Sequence, residues 1–335
     1  MALQDLKYSV LDLAYIAQGN TIKQTLNNSL DLARHLESLN YTRFWLAEHH
    51  NMVSIASSAT SVLIGYIAEG TEKIRVGSGG VMLPNHSSLI IAEQFGTLES
   101  LYPGRIDLGV GRAPGTDGYT AMALGRNPQI INEQFPRQIS ELQTYFSEEN
   151  KTGQVRAIPG EGLDIPVYIL GSSTDSAWLA SELGLPYAFA GHFAPDQMSM
   201  AFKIYRENYK PSERFPEPYI IAATNVIAAD TDEEAEYLAT TLYQAFVNLV
   251  RNDRKPAQPP VRDMDTIWSP MEAMQVRRML SLSIIGSKAT VQQKLEDFTE
   301  VYPIDELMAV CNVYDHKARL KSYEILKDAI VNKQQ

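Results

Sequence analysis

Two strand-like runs of this chain end in residues that could bind a phosphate group. The first run ends at Gly111-Arg112, and the second ends at Gly171-Ser172-Ser173, where a helix-like segment begins. Backbone N–H groups at a helix N-terminus attract anions, and hydroxyl and guanidinium groups donate further hydrogen bonds to them. Arg112, Ser172 and Ser173 therefore form a candidate monophosphate site, and the alternative role of this junction is plain helix capping by Ser173 or Asp175.

A histidine pair follows a third strand-like run and could move a proton. Arg43–Ala47 is followed by Glu48-His49-His50, and imidazole titrates near neutral pH. Adjacent residues of a strand point to opposite faces, so one pocket receives only one of the two rings. No cysteine or histidine stands at the usual zinc spacing, so we predict no metal site. Other polar residues near strand ends are interpreted as structural, namely Asp12, His86, His192 and Asn225.

The elements that position these residues alternate between strand-like and helix-like runs. Ile74–Leu83 is a glycine-rich strand, Leu89–Leu101 has helical spacing, and Arg105–Val110 is the next strand. Eight such alternations along the chain are typical of a (β/α)8 barrel, in which ligands bind at the carboxyl ends of the strands. We therefore predict one α/β domain over residues 1–335, with its site at that end of the barrel.

One segment of the chain lies outside these eight strand–helix units. Arg251–Ser269 carries three prolines and little periodicity, and long connections in compact domains are often lids or binding loops. Two helix-like runs, Met271–Leu280 and Lys288–Glu300, follow before the last strand. We predict an insertion over residues 251–300, made of a loop and extra helices, with a lid and a plain surface excursion as its alternative roles.

The composition argues against several classes of partner. The chain has 335 residues, a formal net charge of -11 and one cysteine. Binding to nucleic acid or to a membrane surface requires clustered basic residues, and the sequence has no such run. No apolar run reaches the length of about 18 residues that a membrane span needs. Since one cysteine allows no intrachain disulfide and the first residues lack a signal-peptide pattern, we predict a cytoplasmic protein.

Two other ligand-binding patterns fail in detail. The segment Gly109–Gly115 is similar to a dinucleotide fingerprint, but Pro114 stands where the last glycine of G-x-G-x-x-G is required. A phosphosugar isomerase or lyase would need paired carboxylates or a Schiff-base lysine at strand ends. Only Asp12 and Glu48 are candidate carboxylates, and no lysine fits.

Three longer segments resemble the bacterial luciferase-like flavin monooxygenases. They are FWLAEHHN (Phe44–Asn51), VGSGGVMLPNH…AEQFGTLESLYPGRIDLGVGRAPG (Val76–Gly115) and LGSSTDSAWLASELGLPYAFAGHFAP (Leu170–Pro195), and the similarity spans essentially the whole chain. The resemblance implies a TIM barrel that binds reduced FMN supplied by a separate flavin reductase. It also implies that O2 forms a flavin C4a-hydroperoxide, which oxidises a small organic substrate such as an aldehyde.

The resemblance further implies roles for individual residues. His49 corresponds to the family's catalytic base, and Arg112 corresponds to the arginine that binds the flavin phosphate. Ser172 corresponds to the phosphate-binding serine, followed by the turn Ser173–Ser176. The cis peptide that lies beneath the flavin ring falls on Gly79–Gly80.

This sequence departs from the luciferase pattern at two positions. Gly111 stands where the luciferase has a reactive cysteine, so thiol-dependent chemistry is not expected, and Gly171 stands where it has an acidic residue. Luciferase is a heterodimer, whereas we predict a homodimer for this single chain. Two alternative functions stay open: a flavin-binding protein without oxygenase turnover, and an oxidoreductase that uses the deazaflavin F420.

Overall fold

The chain folds around a barrel of parallel strands enclosed by helices. The computed structural model describes residues 3–113, 115–126 and 131–331. Its strands are β1 (Lys7–Asp12), β2 (Arg43–Leu46), β3 (Arg75–Met82), β4 (Ile106–Gly111), β5 (Val167–Gly171), β6 (Tyr187–Phe189), β7 (Ile220–Ala228), β8 (Ile284–Gly286) and β9 (Glu306–Val310). Its helices are α1 (Ile22–Ser38), α2 (Thr60–Glu69), α3 (Ser88–Leu101), α4 (Gly118–Ala123), α5 (Ile131–Phe146), α6 (Thr174–Leu183), α7 (Met198–Asn208), α8 (Asp232–Val250), α9 (Pro270–Met279), α10 (Lys288–Val301) and α11 (His316–Val331).

Strands β1 to β7 and β9 close the barrel. Each pairs in parallel with its sequence neighbours from β1 to β7, and β9 joins β7 to β1. This confirms the (β/α)8 barrel predicted from the alternation. Strand β8 lies outside the closed barrel and pairs with Val226–Ala228 at the far end of β7. The sequence pattern does not predict β8, because three residues between two helices are too few to show a strand period.

Helix α1 shows how a capping residue defines the start of a helix and how one apolar face packs it against the barrel. At the start of α1, the Thr21 hydroxyl accepts a hydrogen bond from the Gln24 N–H, and the Gln24 side chain accepts one from the Thr21 N–H. This reciprocal arrangement satisfies two amides that a helix N-terminus would otherwise leave unpaired. Further along α1, Leu32, Ala33 and Leu36 are fully buried, so one apolar face of this helix packs against the barrel.

The proline-containing segment 251–269 is tied to two loops at the carboxyl end of the barrel. The Ala257 N–H donates to the Ile16 carbonyl at 2.8 Å, and the Gln18 N–H donates to the Ala257 carbonyl at 2.8 Å. Arg254 forms an ion pair with Asp117, which N-caps α4, at 2.9 Å. The helices predicted after this segment correspond to α9 and α10, while the lid role stays a prediction. None of the helices in the described residues combines the length and apolar character of a membrane span.

Candidate active site

A cavity of about 280 Å³ opens at the carboxyl ends of the barrel strands. Strands β1 to β7 and β9 all contribute to its lining, so it lies on the barrel axis. Every residue predicted from the sequence for the site lines this cavity: His49, Gly79, Gly80, Gly111, Arg112, Gly171, Ser172, Ser173 and Ser176. Residues that are more than 120 positions apart in the chain, such as His49 and Ser172, thus share one cavity.

Glycines of β3 form one wall of the cavity at a point where no side chain would fit. The Gly79–Gly80 peptide bond is cis, which confirms the prediction made from the family resemblance. A Cβ atom on Gly79 would lie 2.7 Å from Leu11 Cδ1 and 3.0 Å from Trp45 Cβ, and one on Gly80 would lie 2.7 Å from the Gly109 carbonyl oxygen. These contacts are too short for carbon, so the wall is built from backbone, over which a flat ring could lie.

The start of α6 supplies anion-binding groups at one end of the cavity. Ser173 occupies the N-cap position, yet its hydroxyl makes no capping hydrogen bond, and the Thr174 N–H instead donates to Gln197 Oε1 at 3.1 Å. Across the cavity wall, Arg112 Nη2 lies 3.6 Å from the exposed Asp175 carboxylate. A guanidinium, serine hydroxyls and a helix N-terminus converge here, which is a donor set that fits a phosphate.

Ser176 supports the turn rather than offering its hydroxyl to the cavity. Its Oγ donates to the Ser173 carbonyl at 2.7 Å and shares a hydrogen bond with the Tyr187 hydroxyl at 2.9 Å. A Cβ atom on Gly171 would collide with Ser176 Oγ. An acidic residue at position 171 would therefore require Ser176 to move, which explains structurally why glycine and serine occur together here.

Position 111 differs from the other cavity glycines, because a side chain would fit there. A Cβ atom on Gly111 would meet Met82 Cε at 3.4 Å, which is an ordinary van der Waals distance. The backbone at position 111 could therefore also carry a cysteine. The departure at position 111 removes a thiol from the cavity without altering the course of β4.

His49 reaches the cavity, and His50 turns to the opposite face of the same strand end. His49 Nδ1 donates to the Gly115 carbonyl at 3.3 Å, whereas His50 Nε2 donates to Glu48 Oε1 at 2.9 Å. Burial lowers the pKa of His49, while the Gly115 carbonyl and Glu48 act in the opposite direction. His49 is therefore neutral near pH 7. Because a carbonyl oxygen only accepts, Nδ1 carries the proton and Nε2 is the basic nitrogen.

His192, interpreted from the sequence as structural, also lines the cavity. Its Nδ1 atom is buried and has no hydrogen-bond partner among the described residues. Burial, together with nearby His49, lowers the pKa of His192 to about 3. Asn225 Nδ2 donates to the His192 carbonyl at 2.6 Å and so fixes the backbone of this residue. In the sequence, His192 is marked only by its position shortly after β6. Periodicity does not show which loop residues face the cavity.

Glu48 is the centre of a second polar cluster, next to the cavity. Its carboxylate is 2% exposed and accepts hydrogen bonds from His50 Nε2 and His86 Nε2, each at 2.9 Å. The Met82 N–H donates to Glu48 Oε2 at 3.2 Å. Although burial by itself raises the pKa of Glu48, the hydrogen bonds from His86 and His50 hold it below its usual value. The sequence did not reveal this cluster, because His86 lies on the loop after β3.

Comparison with known proteins agrees with this geometry. A family model described as luciferase-like monooxygenase matches residues 6–303. A Bacillus subtilis (strain 168) protein, described as uncharacterized protein YvbT, is 55% identical over 98% of this chain and 98% of its own length. A luciferase-like monooxygenase of Escherichia coli (strain K12) is 50% identical, again over 98% of each chain. The crystal structure of apo-MsnO8 is 31% identical, has a TM-score of 0.85, and is matched over 97% of this chain and 98% of that chain.

This chain therefore belongs to the luciferase-like monooxygenase family, and it is an enzyme of the flavin-dependent monooxygenase class. Two more distant solved structures share the fold alone. One is a type II Baeyer–Villiger monooxygenase from Pseudomonas putida in complex with FMN, at 18% identity and a TM-score of 0.73 over 97% of this chain and 98% of that one. The other is an F420-dependent secondary alcohol dehydrogenase in complex with an F420–acetone adduct, at 13% identity and a TM-score of 0.71 over 98% and 100% of the two chains.

Proposed function

We propose that this enzyme binds reduced FMN and uses O2 to oxidise a small organic, aldehyde-like substrate. The observation that carries the proposal is the arrangement around one cavity. An anion-binding end formed by Arg112, Ser172 and Ser173 and a neutral imidazole, His49, are joined by the glycine wall of β3. An FMN complex at 18% identity and an F420 complex at 13% identity share this fold, so the choice of FMN follows the family resemblance of the sequence.

The phosphate would be held at the anion-binding end of the cavity. Arg112 supplies positive charge, and the hydroxyls of Ser172 and Ser173 lie at the N-terminus of α6, where the helix dipole favours an anion. The ring would lie against Gly79–Gly80, which contribute no side chain to the cavity wall. Bound reduced flavin would supply the electrons that activate oxygen, and this chain supplies the surroundings for that chemistry.

His49 would move the proton that such an oxidation requires. Its Nδ1 proton is committed to the Gly115 carbonyl, so its Nε2 can accept a proton from a reacting group in the cavity. The lowered pKa keeps this nitrogen unprotonated at neutral pH. A general base is effective only in its unprotonated form, so burial prepares His49 for this role.

The rest of the cavity is suited to an apolar substrate that is not charged. Its inner part is lined by apolar side chains of β1, β2, β7 and β9, namely Leu11, Trp45, Ile221, Ala223 and Met308. A carboxylate in that part would be desolvated without a cationic partner among the described lining residues, because Arg112 lies at the phosphate end.

Three further predictions rest on the sequence. They are the supply of reduced flavin by a separate reductase, assembly as a homodimer and a cytoplasmic location.

Titration of the purified protein with oxidised and photoreduced FMN under nitrogen, followed by mixing with O2, tests the proposal. We expect tight binding of reduced FMN and an oxygen-dependent absorbance transient before the flavin is reoxidised. When aldehydes are added in a second mixing, reoxidation of the bound flavin without oxidation of any aldehyde would favour a flavin-binding protein without turnover. The same titration with F420 is the parallel experiment. Binding of F420 and not of FMN in either redox state would overturn the FMN assignment.

A further inference from the structure

Three potential ligand atoms converge next to the flavin cavity, on the opposite face of the end of β2. Glu48 Oε1, His50 Nε2 and His86 Nε2 all lie within 4.8 Å of one another. The two nitrogens are each 2.9 Å from the Glu48 oxygen. In a tetrahedral zinc site with metal–ligand bonds of about 2.0–2.1 Å, neighbouring ligand atoms are about 3.3 Å apart. The two carboxylate–imidazole separations thus need to open by only a few tenths of an ångström, and the separation of the two ring nitrogens is at most 4.8 Å.

The residues of this cluster are held in place by contacts that an ion would leave intact. Glu48 Oε2, the oxygen not shared by both rings, accepts the Met82 N–H at 3.2 Å. The His50 N–H donates to the Gly115 carbonyl at 3.1 Å. The His86 carbonyl accepts from Gln138 Nε2 at 2.8 Å. The backbones on both sides of the cluster are therefore fixed before any ion binds, which lowers the entropic cost of forming a site.

Burial and charge at this cluster also suit a cation. The Glu48 side chain is 2% exposed, whereas the His50 and His86 side chains are 18% and 29% exposed. The carboxylate is thus shielded from water, while an ion could still enter from the side of the rings and keep a water as its fourth ligand. One carboxylate and two imidazoles form the ligand set of several zinc sites, and Mg²⁺ and Ca²⁺ prefer sites made of oxygen alone.

We propose that Glu48, His50 and His86 form a binding site for a divalent transition-metal ion, with Zn²⁺ as the preferred occupant. The ion replaces the hydrogen bonds that now join the two Nε2 atoms to Glu48, and each ring then carries its proton on Nδ1. The proposal does not depend on the flavin, because His49, which lines the cavity, is not among the ligands. The zinc spacing sought in the sequence is missing because the ligands come from two different loops.

Zinc binding by the intact chain, after removal of metal with a chelator, tests this site. Equilibrium dialysis against ZnCl2 with metal analysis should show one Zn²⁺ per chain. Titration with Co²⁺ should give the visible absorption bands of a tetrahedral ion with nitrogen and oxygen ligands. His86→Ala and His50→Ala should each lower zinc affinity by at least about tenfold, because a three-ligand site loses one ligand.

Matched variants separate a zinc site from a hydrogen-bonded cluster. His86→Gln keeps a side-chain N–H donor for Glu48 but supplies a much poorer ligand, so zinc binding should be lost while the thermal unfolding midpoint of the metal-free protein is kept. His316→Ala removes an imidazole that contacts one carboxylate only, that of Asp31 at 2.8 Å, and should bind zinc as the wild type does. The same holds for His49→Ala. Absence of zinc from the wild type, or equal zinc binding by His86→Gln, would overturn the proposal.

Discussion

Polar side chains lie inside the barrel at two levels, and the two levels differ in how they are partnered. At the amino ends of the strands, Arg43 donates to Glu306 Oε1 and Asp107 Oδ2, each at 2.8 Å. Trp45 Nε1 donates to the same Asp107 oxygen at 3.0 Å. At the carboxyl ends, His192 Nδ1 is buried without a partner among the described residues. At the amino ends, here called the lower level, Arg43, Asp107 and Glu306 pair with one another. At the carboxyl ends, the upper level, the His192 nitrogen has no such hydrogen bond within the described part of the chain.

This difference separates charged groups that pair with one another inside the barrel from a buried nitrogen at the cavity without a hydrogen-bond partner among the described residues. An unpaired buried polar atom costs on the order of 1–3 kcal/mol, so folds retain one mainly where something else compensates. The Arg43 side chain is 6% exposed and the Asp107 and Glu306 side chains are fully buried. Arg75, which also pairs with Asp107, supplies the second positive charge that balances the two carboxylates. Trp45 contacts both levels, because its N–H pairs with Asp107 while its ring lines the cavity.

Removing one carboxylate from the buried ion pairs at the lower level should have the largest effect on stability. Asp107→Ala leaves Arg43 buried with one carboxylate partner fewer and also removes an acceptor of Trp45 and Arg75. We expect the free energy of unfolding to fall by about 3 kcal/mol or more, as for other broken buried ion pairs. Urea unfolding measures this. Asp175→Ala, at an exposed carboxylate that contacts Arg112, is the control and should change stability by less than about 0.5 kcal/mol. Similar losses in both variants would contradict the assignment.

At the upper level, His49→Ala should act on turnover and leave the fold intact. Loss of a general base reduces the rate by about a hundredfold or more, while the contacts to the flavin phosphate are unchanged. Single-turnover oxidation of substrate by enzyme loaded with reduced FMN measures the rate, and a parallel titration measures flavin affinity. His316→Ala, at the surface, is the control. Unchanged turnover in His49→Ala would remove the role assigned to this residue.

Arg112→Ala should weaken flavin binding through the phosphate alone. A hydrogen bond to a charged group contributes about 1.5–3 kcal/mol, so the dissociation constant for FMN should rise by roughly tenfold or more. Riboflavin, which lacks the phosphate, should bind equally to the wild type and the variant. Arg278→Ala, at an exposed arginine that pairs with Asp196, is the control for general loss of positive charge. An equal loss of affinity for riboflavin would show that Arg112 acts on the ring or on the fold.

His192 should make stability depend on pH in a way that its removal abolishes. Burial holds its pKa at about 3 in the folded state, against about 6.5 in the unfolded chain. Between these values the unfolded state binds a proton that the folded state does not, so stability falls as the pH falls. Between pH 6.5 and 5.5 this contribution is about 1 kcal/mol. Urea unfolding of His192→Gln should show a decrease smaller by that amount. Identical pH dependence in both proteins would mean that the pKa of His192 is the same in the folded and unfolded states.

Strand and helix positions were largely predictable because their signals are local. The helix predicted over Leu89–Leu101 is observed over Ser88–Leu101, and the strand predicted over Ile74–Leu83 is observed over Arg75–Met82. Apolar side chains recur with the period of each element wherever one face packs on the barrel. Strand β8 and helix α4 were not predicted, because each is short, and β8 also lies outside the closed barrel.

The sequence by itself determined the barrel and the groups at its strand ends. Glycines, Arg112 and the serines before α6 stand directly after strands, and parallel strands bring their carboxyl ends to one side. Only the tertiary structure decided which polar side chains have hydrogen-bond partners within the protein. His192 and His86 are both loop histidines in the sequence, yet His86 pairs with Glu48 while His192 faces the cavity. Such pairing depends on the path of loops and on contacts between residues far apart in the chain, which no local period records.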